Sequence, residues 1–174
     1  MTTDPRYPIG THTKVPVLSA TDRAAAIAAI ADLPRALRDA VEGLNEAQLD
    51  TPYRDGGWSL RQVVHHVADS HMNALIRFKW ALTESNPTIK AYDEQAWAEL
   101  PDARLSIEPS LRLIEALHAR WAALLGALAP EAFATPYQHP VSGAFTLDMA
   151  VGMYAWHGRH HTAHVTELRK RLGW

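Results

Sequence analysis

The sequence predicts an all-α protein, built as a single four-helix bundle domain that spans residues 1–174. Four segments of helical length carry apolar residues at every third or fourth position. No segment shows the sustained alternation of β-branched and polar residues that is typical of strands, so we expect none. A chain of 174 residues can bury one substantial core, and four helices of about 20 residues favour an antiparallel bundle.

The first two helices are recognised by their apolar spacing and by their starts. The first covers residues 22–44, and Pro34 inside it is expected to introduce a kink, because proline removes a backbone donor. The second begins at Ser59 and continues to Thr83. Ser59 followed three positions later by Gln62 predicts a capping box, in which the two side chains satisfy free N–H groups of the first turn.

The last two helices show the same spacing and clear end signals. The third covers residues 106–128, with leucines and Trp121 along its apolar face. The fourth runs from Thr146, a typical N-cap, to Leu172, and Gly173 is expected to end it.

The connections between these helices are long. Residues 45–58, 84–105 and 129–145 exceed the about two to eight residues that usually join helices in a bundle. The middle connection contains a short helical pattern at residues 93–97. Connections of this length often carry function, so we expect them to wall a metal site at one end of the bundle.

Composition and charge exclude several classes of protein. The formal net charge is −2 at pH 7 and no block of Lys and Arg is present, which argues against nucleic-acid binding. No apolar run approaches the ~20 residues of a membrane span, and residues 1–10 do not resemble a signal peptide, so we expect a cytoplasmic protein. The absence of cysteine excludes disulfides, cysteine zinc sites and a cysteine nucleophile. Any thiol in the chemistry must therefore arrive with a substrate.

Three histidines of the fourth helix share one face. His157, His161 and His164 are separated by four and then three residues, on a face that is otherwise apolar. A buried polar group without a partner costs roughly 1–3 kcal/mol, and one divalent metal would satisfy several imidazoles at once. The pair His157 and His161 therefore predicts a metal site. The H-E-x-x-H motif of zinc proteases is excluded, because Gly158 occupies the position of its glutamate.

The second helix offers two further histidines, His65 and His66. They flank the apolar stripe on opposite sides at comparable angles, so periodicity does not choose between them. Asp69, four residues after His65, is placed to hold that imidazole in an ordinary surface pair. His66 instead shares its flank with a polar strip that could line a pocket, formed by Ser70, Asn73 and Arg77. This difference favours His66 as the third ligand.

The remaining histidines have open roles. His71 falls on the core stripe of the second helix, where a hydrogen-bonded core residue and a functional residue are both compatible with its position. His160 could lie at the rim of the site or carry a proton, and His164 could contact a ligand from behind. The isolated histidines are treated as background: His12, His118 and His139.

Motifs spread over nearly the whole chain match a known family. In chain order they are Tyr7–Gly10, Tyr53–Trp58, Arg61–Asn73, Arg77–Lys79, Pro87–Lys90, Tyr92–Glu94, Trp97–Pro101, Tyr154–Gly158, His160–His161, His164 and Gly173–Trp174. On these residues the chain resembles the DinB-like metalloprotein superfamily and, within it, the YfiT-like branch. Members of that branch are regarded as metal-dependent hydrolases, and some are described as bacillithiol S-transferases.

The resemblance implies a four-helix bundle in which one histidine of the second helix and two of the fourth bind a divalent metal. Carried over by motif, the first is the histidine before the Val-Ala-Asp segment, which is His66, and the others are His157 and His161. Proteins of this family are often homodimers, so the resemblance also implies a homodimer.

Such a site favours metal-dependent catalysis. Three imidazoles leave coordination positions open, as in catalytic metal sites. Histidine suits zinc, nickel, iron and copper, of which we take zinc as the default and nickel as the alternative. The favoured function is a thiol S-transferase, in which a low-molecular-weight, bacillithiol-like thiol loses its proton on the metal and attacks a small electrophile. The cationic side chains that could hold a carboxylate of the thiol are Arg77, Lys79, Lys90 and Arg159.

Two other functions stay open. A metal-dependent hydrolase would use a metal-activated water, with Asp69, Asp93, Glu94 and Asp148 as candidate bases. A non-catalytic metal-binding stress protein would need only the three ligands. No motif marks a catalytic residue, and the candidate helpers are His160, His164 and Arg77. The segment Gly56-Gly57-Trp58 and Trp97 could shape the pocket mouth, although a structural role is favoured for them.

Overall fold

A computed structural model describes residues 4–174 and confirms the helical bundle. Its long helices are α1 (Ala20–Val41), α3 (Leu60–Thr83), α5 (Glu108–Ala127) and α6 (Leu147–Leu172). The connections contain the short helices α2 (Glu46–Leu49) and α4 (Glu94–Ala98), and 3-10 turns at Pro101–Arg104 and Pro130–Ala134. In the described part of the chain, no helix is both long and apolar enough to cross a membrane.

The ends of α3 and α6 follow the capping residues that the sequence indicates. The Ser59 side chain accepts from the Gln62 backbone N–H at 3.2 Å, and the Gln62 side chain accepts from the Ser59 N–H at 3.0 Å. The predicted capping box is therefore present. Thr146 caps the start of α6, and Gly173 ends that helix in the left-handed conformation, with φ of 72°.

Helix α1 differs from its prediction. It begins at Ala20, before residue 22, because the Ser19 side chain accepts from the Asp22 backbone N–H at 3.1 Å. The helix continues through Pro34 without interruption. Proline has no N–H to give to the carbonyl four residues earlier, so Pro34 leaves the carbonyl of Ile30 without its usual helical donor.

Contacts between side chains define how the long helices are arranged. Helices α1 and α3 each pack on both α5 and α6, so α1 lies diagonally across from α3, and α5 from α6. Two neighbouring pairs are antiparallel, as shown by His71–His157 and Arg77–Tyr154 for α3 and α6, and by Ile30–His118 and Arg38–Glu108 for α1 and α5. Two are parallel, as shown by His65–Ser110 and His71–His118 for α3 and α5, and by Arg23–Asp148 and Ala40–Arg169 for α1 and α6. The bundle is therefore only partly antiparallel.

This arrangement explains the long connections. Helix α3 has 24 residues and is about 36 Å long. Because α5 runs beside it in the same direction, the chain between Thr83 and Glu108 must return along the bundle before α5 can start. The other two long connections cross the diagonals of the bundle, between α1 and α3 and between α5 and α6.

The connections also contain a small antiparallel sheet, so the expectation of no strands is wrong. Strand β1 (Pro136–His139) pairs with β2 (Gly143–Thr146). Residues 87–89 join its edge, since the Ile89 N–H donates to the Gln138 carbonyl at 2.9 Å. Strands of four residues are too short to show a clear alternation in the sequence. The pairing of residues 87–89 with β1 joins the connection before α5 to the connection before α6.

The core consists of two apolar clusters. One is built around aromatic residues such as Phe78 and Trp121, and the other around aliphatic residues such as Leu37 and Val64. On α6 the first cluster ends at Ala155 and the second begins with Val165. The histidines of α6 therefore lie between the clusters, inside the bundle, whereas the sequence led us to expect a site at one end.

Candidate metal centre

The three histidines that the sequence selects come together. One ring nitrogen from each of His66, His157 and His161 lies within 4.8 Å of the others. The Nε2 atoms of His66 and His157 are 3.3 Å apart. Helix α3 supplies the first residue and two successive turns of α6 supply the other two, because a spacing of four brings side chains onto one face of a helix.

His65 lies outside this group. Its ring contacts the Ser110 hydroxyl at 2.7 Å and the Leu105 carbonyl at 3.2 Å. Its predicted pairing with Asp69 is therefore wrong. Since its two ring nitrogens already have partners, His65 serves to attach α3 to the start of α5.

All three converging imidazoles are neutral at pH 7. Burial, together with the charge of His160, lowers the pKa of His66 to about 4. Burial also lowers the pKa of His157 and His161 well below the usual value, and the neighbouring imidazoles add to this effect. Neutral imidazoles offer lone pairs to a metal, so the donor set fits a divalent cation such as zinc or nickel.

A chain of buried hydrogen bonds fixes the proton on His157. It begins at the Ile30 carbonyl, which lacks its helical donor and lies 2.6 Å from Nδ1 of His118. Because a carbonyl only accepts, His118 donates from Nδ1 and its neutral ring accepts at Nε2. His71 Nδ1, 2.9 Å away, must then donate to His118. His71 Nε2 therefore accepts from Nδ1 of His157, at 3.0 Å.

The end of this chain leaves a lone pair on Nε2 of His157, directed towards His66. Histidines that bind metals usually donate their other ring N–H to an acceptor, which fixes the tautomer and the ring orientation. His71 has this relation to His157, so the arrangement suits a metal ligand.

The sequence alone does not predict most of this chain. An isolated His118 gives no functional signal, and the position of His71 is compatible with a structural or a functional role, yet both residues are almost fully buried. The available signals were the position of His118 on the apolar stripe of α5 and a proline four residues after Ile30 in a helix. The proline is informative only when α5 is known to pack on α1, because His118 of α5 then lies next to the free carbonyl of Ile30.

The opposite side of the three histidines holds a second group, formed by His160 and His164 with His161. Their ligand atoms also lie within 4.8 Å of one another, and Nδ1 of His164 is 3.3 Å from Nδ1 of His161. The ring of His164 stacks on Tyr53 at 4.0 Å, and that of His160 stacks on Trp156 at 4.3 Å. His160 is buried, so it does not form an exposed rim.

A cavity of about 470 Å³ opens beside His157. Helices α3 and α6 supply one side, including Ser70, Arg77 and Tyr154, and the connections supply the rest. The main lining residues from the connections are Tyr92, Asp93, Glu94, Tyr137, His139 and Phe145. The expectation that the long connections wall the site is therefore confirmed for residues 84–105 and 129–145.

The four candidate bases have different surroundings. Asp148 forms an ion pair with Arg23 at 2.6 Å and also accepts from the Leu18 N–H, so it is a structural residue. Asp93 and Glu94 lie on the wall of the cavity. Asp69 faces a narrow cleft together with His66, and burial raises its pKa to about 6.

The tryptophans of the connections lie close to the site. The Trp58 ring is 4.6 Å from that of His66, and its Nε1–H donates to Gln95 at 2.9 Å. Trp97 lines the narrow cleft next to His66. Both tryptophans therefore lie next to His66, in addition to the structural role that the sequence favours for them.

Packing also explains the glycine between the histidines of α6. A Cβ on Gly158 would lie 2.8 Å from Leu33 Cδ2, far inside van der Waals contact. Helix α1 therefore approaches α6 closely at this residue. A glutamate at this position, as in zinc proteases, would not fit against Leu33.

The protein is thus a helical bundle with a set of converging histidines in its interior. The chain belongs to the DinB superfamily, whose sequence model matches residues 11–165. A Bacillus mycoides (strain KBAB4) relative is 54% identical over 171 residues, which cover 98% of this chain and 99% of the relative. A Bacillus cereus (strain ATCC 10987 / NRS 248) relative is 55% identical with the same coverage. Both carry the name "Putative metal-dependent hydrolase".

A solved structure is also similar to this chain. YfiT from Bacillus subtilis superposes with a TM-score of 0.95 at 48% sequence identity, over 98% of each chain. It is described as a probable metal-dependent hydrolase with an unusual four-helix bundle topology.

Proposed function

We propose that this protein is a metal-dependent enzyme whose divalent cation, zinc or nickel, is held by His66, His157 and His161. The favoured reaction is the transfer of a low-molecular-weight thiol to a small electrophile. The observation that carries the proposal is the convergence of three neutral imidazoles, two of them buried and that of His157 half-buried, beside a cavity large enough for a small substrate.

The residues of the chain have separate tasks in this proposal. A cation bound there acts as a Lewis acid that makes a thiol or a water more acidic. His71 holds the proton of His157 on Nδ1, so that Nε2 stays free. The aromatic side chains Tyr137 and Phe145 stack on each other and cover one side of the cavity.

The proton balance favours a thiol over water. A thiol has a pKa of about 8.5, whereas that of bulk water is about 15.7, so a thiol needs much less help to ionise. Within residues 4–174, no carboxylate hydrogen-bonds to any of the three histidines. A thiol can react in such surroundings without a strong general base.

Hydrolysis is the second candidate, and Asp69 is the observation that favours it. A carboxylate with a pKa of about 6 is mostly ionised at pH 7 and basic enough to accept a proton from water. It shares a cleft with His66. The names of the Bacillus relatives agree with this reaction.

The test is a thiol-conjugation assay with protein loaded with zinc or nickel. A panel of low-molecular-weight thiols is mixed with a fluorogenic bimane electrophile, and the metal content of each sample is measured. We expect acceleration by at least about tenfold with one thiol, because activation of a nucleophile contributes on this scale. His157→Ala should abolish the acceleration, while His12→Ala, at a histidine outside the site, should keep it.

Other outcomes separate the alternatives. Metal-dependent cleavage of esters or amides that is lost in Asp69→Asn, without thiol transfer, would replace our proposal with hydrolysis. Stoichiometric metal that stabilises the fold, without turnover in either assay, would favour a non-catalytic metal-binding protein. The expected homodimer is tested by the mass of the protein in solution, and a monomer would contradict it.

A further inference from the structure

Arg77 is a buried cation that has no carboxylate partner within residues 4–174. Only 8% of its surface is exposed. Nη1 donates to the Tyr154 hydroxyl at 3.1 Å and Nη2 to the Lys90 carbonyl at 3.2 Å. Its Nε is buried and has no hydrogen-bond partner in the described part of the chain. Of the five N–H donors of a guanidinium, most are therefore left for a ligand.

Arg61 is the other arginine in the described chain that is buried to this degree, and it is paired. Arg61, 6% exposed, contacts Glu46 and Asp50 at 2.6 Å each. Burial of a charge without a partner is costly, and the chain provides carboxylate partners for Arg61. Among residues 4–174, Arg77 has no such ion pair, and this distinguishes it from Arg61.

The position of Arg77 suggests where a ligand for its unpaired N–H groups could lie. It lines the same cavity as His157, and Tyr154 lies between them, with its ring 6.0 Å from that of His157. A small molecule in this cavity can therefore contact both the guanidinium and His157, one of the three converging histidines.

The carboxylates near this cavity do not neutralise Arg77. Asp93 and Glu94 line the wall, but neither forms an ion pair with the guanidinium in the described chain. The Asp93 side chain accepts from the Ala96 N–H at the start of α4, and Glu94 is exposed.

The other cations that the sequence suggested for this task are placed differently. Lys79, Lys90 and Arg159 are exposed, and none of them lines this cavity. Only Arg77 combines burial, free donors and access to the cavity among these four.

We infer that Arg77 is an anion-binding residue, and that the substrate carries a carboxylate which it binds while the reacting end lies at the three histidines. A guanidinium can hold a carboxylate through two parallel N–H···O bonds, which gives both strength and orientation. This inference rests on the proposed function for the place of the reacting end, and it names the class of substrate for either reaction.

The test uses probes that bind a metal by a hydroxamate head, so that it does not depend on the reaction. The monohydroxamates of succinic, glutaric and adipic acid are compared with the analogues in which the free carboxylate is a carboxamide. Dissociation constants are measured by calorimetry on zinc-loaded protein. The three lengths allow for the distance between the head and Arg77.

We expect the carboxylate of the best length to bind at least about tenfold more tightly than its carboxamide, as charge-assisted hydrogen bonds allow. In Arg77→Gln this preference should fall to about twofold or less. In the control Lys79→Gln, which removes an exposed charge from the same helix, it should stay unchanged. Each preference compares two probes on one protein, so moderate losses of stability cancel.

Equal binding of carboxylates and carboxamides by the unaltered protein would overturn the inference, even if Arg77→Gln failed to fold. A preference that survives in both Arg77→Gln and Arg77→Ala would also overturn it. Failure of the proposed function gives different results. Protein that binds no zinc would contradict the metal centre itself, and so would hydroxamates that bind equally well after zinc has been removed.

Discussion

The chain of His71 and His118 lies on the inner side of the three histidines, and both ring nitrogens of each residue have partners. The outer side holds His160 and His164, and there Nδ1 of His160 is buried without a partner among the described residues. The inner chain ends at a helix carbonyl only 2.6 Å from His118. The outer group ends at His164, whose Nε2 is 3.4 Å from the Arg6 carbonyl.

Histidines inside one bundle are thus held in two different ways. Both groups end at a carbonyl, which cannot donate, but the 2.6 Å contact of the inner chain holds its arrangement of protons more firmly than the 3.4 Å contact of the outer group. The inner side therefore sets the orientation of His157. The outer histidines have weaker polar partners and are held largely by aromatic stacking, so we expect them to matter less for metal affinity.

Acid should produce the largest effect, on both sides. The pKa of His66 and of His164 falls from 6.5 to about 4 in the folded protein. The unfolded chain then binds protons below pH 6.5 that the folded protein does not, so the stability present above pH 6.5 is lost as the pH falls towards 4. Each group contributes up to about 1.4 kcal/mol per pH unit, which amounts to about 3 kcal/mol for the two between pH 6.5 and 5, because each unfolded imidazole is only half protonated at pH 6.5.

Urea unfolding of metal-free protein, followed by tryptophan fluorescence at several pH values, measures this loss. The variant His164→Phe, which keeps an aromatic ring against Tyr53, should reduce the slope by about one proton. A free energy of unfolding that is equal at pH 6.5 and pH 5 would contradict the predicted neutral histidines.

Removal of the inner chain should have the next largest effect. His71→Leu leaves the Nδ1–H of His157 without an acceptor, and we expect metal affinity to fall by about 10-fold to 100-fold. His71→Gln can accept from His157 and donate to His118, so it should recover most of the affinity.

Competition with a chromophoric chelator measures both affinities, and thermal melting of the metal-free variants checks that they fold. If the leucine and glutamine variants bound zinc equally well, the inner chain would have no part in setting the tautomer of His157.

Replacement on the outer side should have the smallest effect. His160→Phe keeps the stacking on Trp156 and removes a buried nitrogen that has no partner among residues 4–174. We expect zinc affinity to stay within about threefold, and the free energy of unfolding to rise by about 1 kcal/mol. The same chelator competition and urea unfolding serve as measurements. A loss of affinity as large as that of His71→Leu would show that the outer histidines hold the metal too, and the comparison between the two sides would fail.

The local features of this protein can be predicted from the sequence alone. The long helices, the capping box at Ser59, the end at Gly173 and the pairing of His157 with His161 on one face all follow from interactions within a few turns. The resemblance of the motifs to the DinB family was also visible without the structure, and the family is confirmed.

Which distant residues meet depends on the tertiary structure. It brings His66, which the sequence favours, to the histidines of α6, joins His118 to the carbonyl that Pro34 leaves free, and gives Arg77 no ion pair among residues 4–174. It also showed that two neighbouring helix pairs run parallel, which the number of helices could not reveal. Helical period and capping depend on residues close in the chain, whereas these contacts depend on how whole helices pack, and that is set by the entire core together.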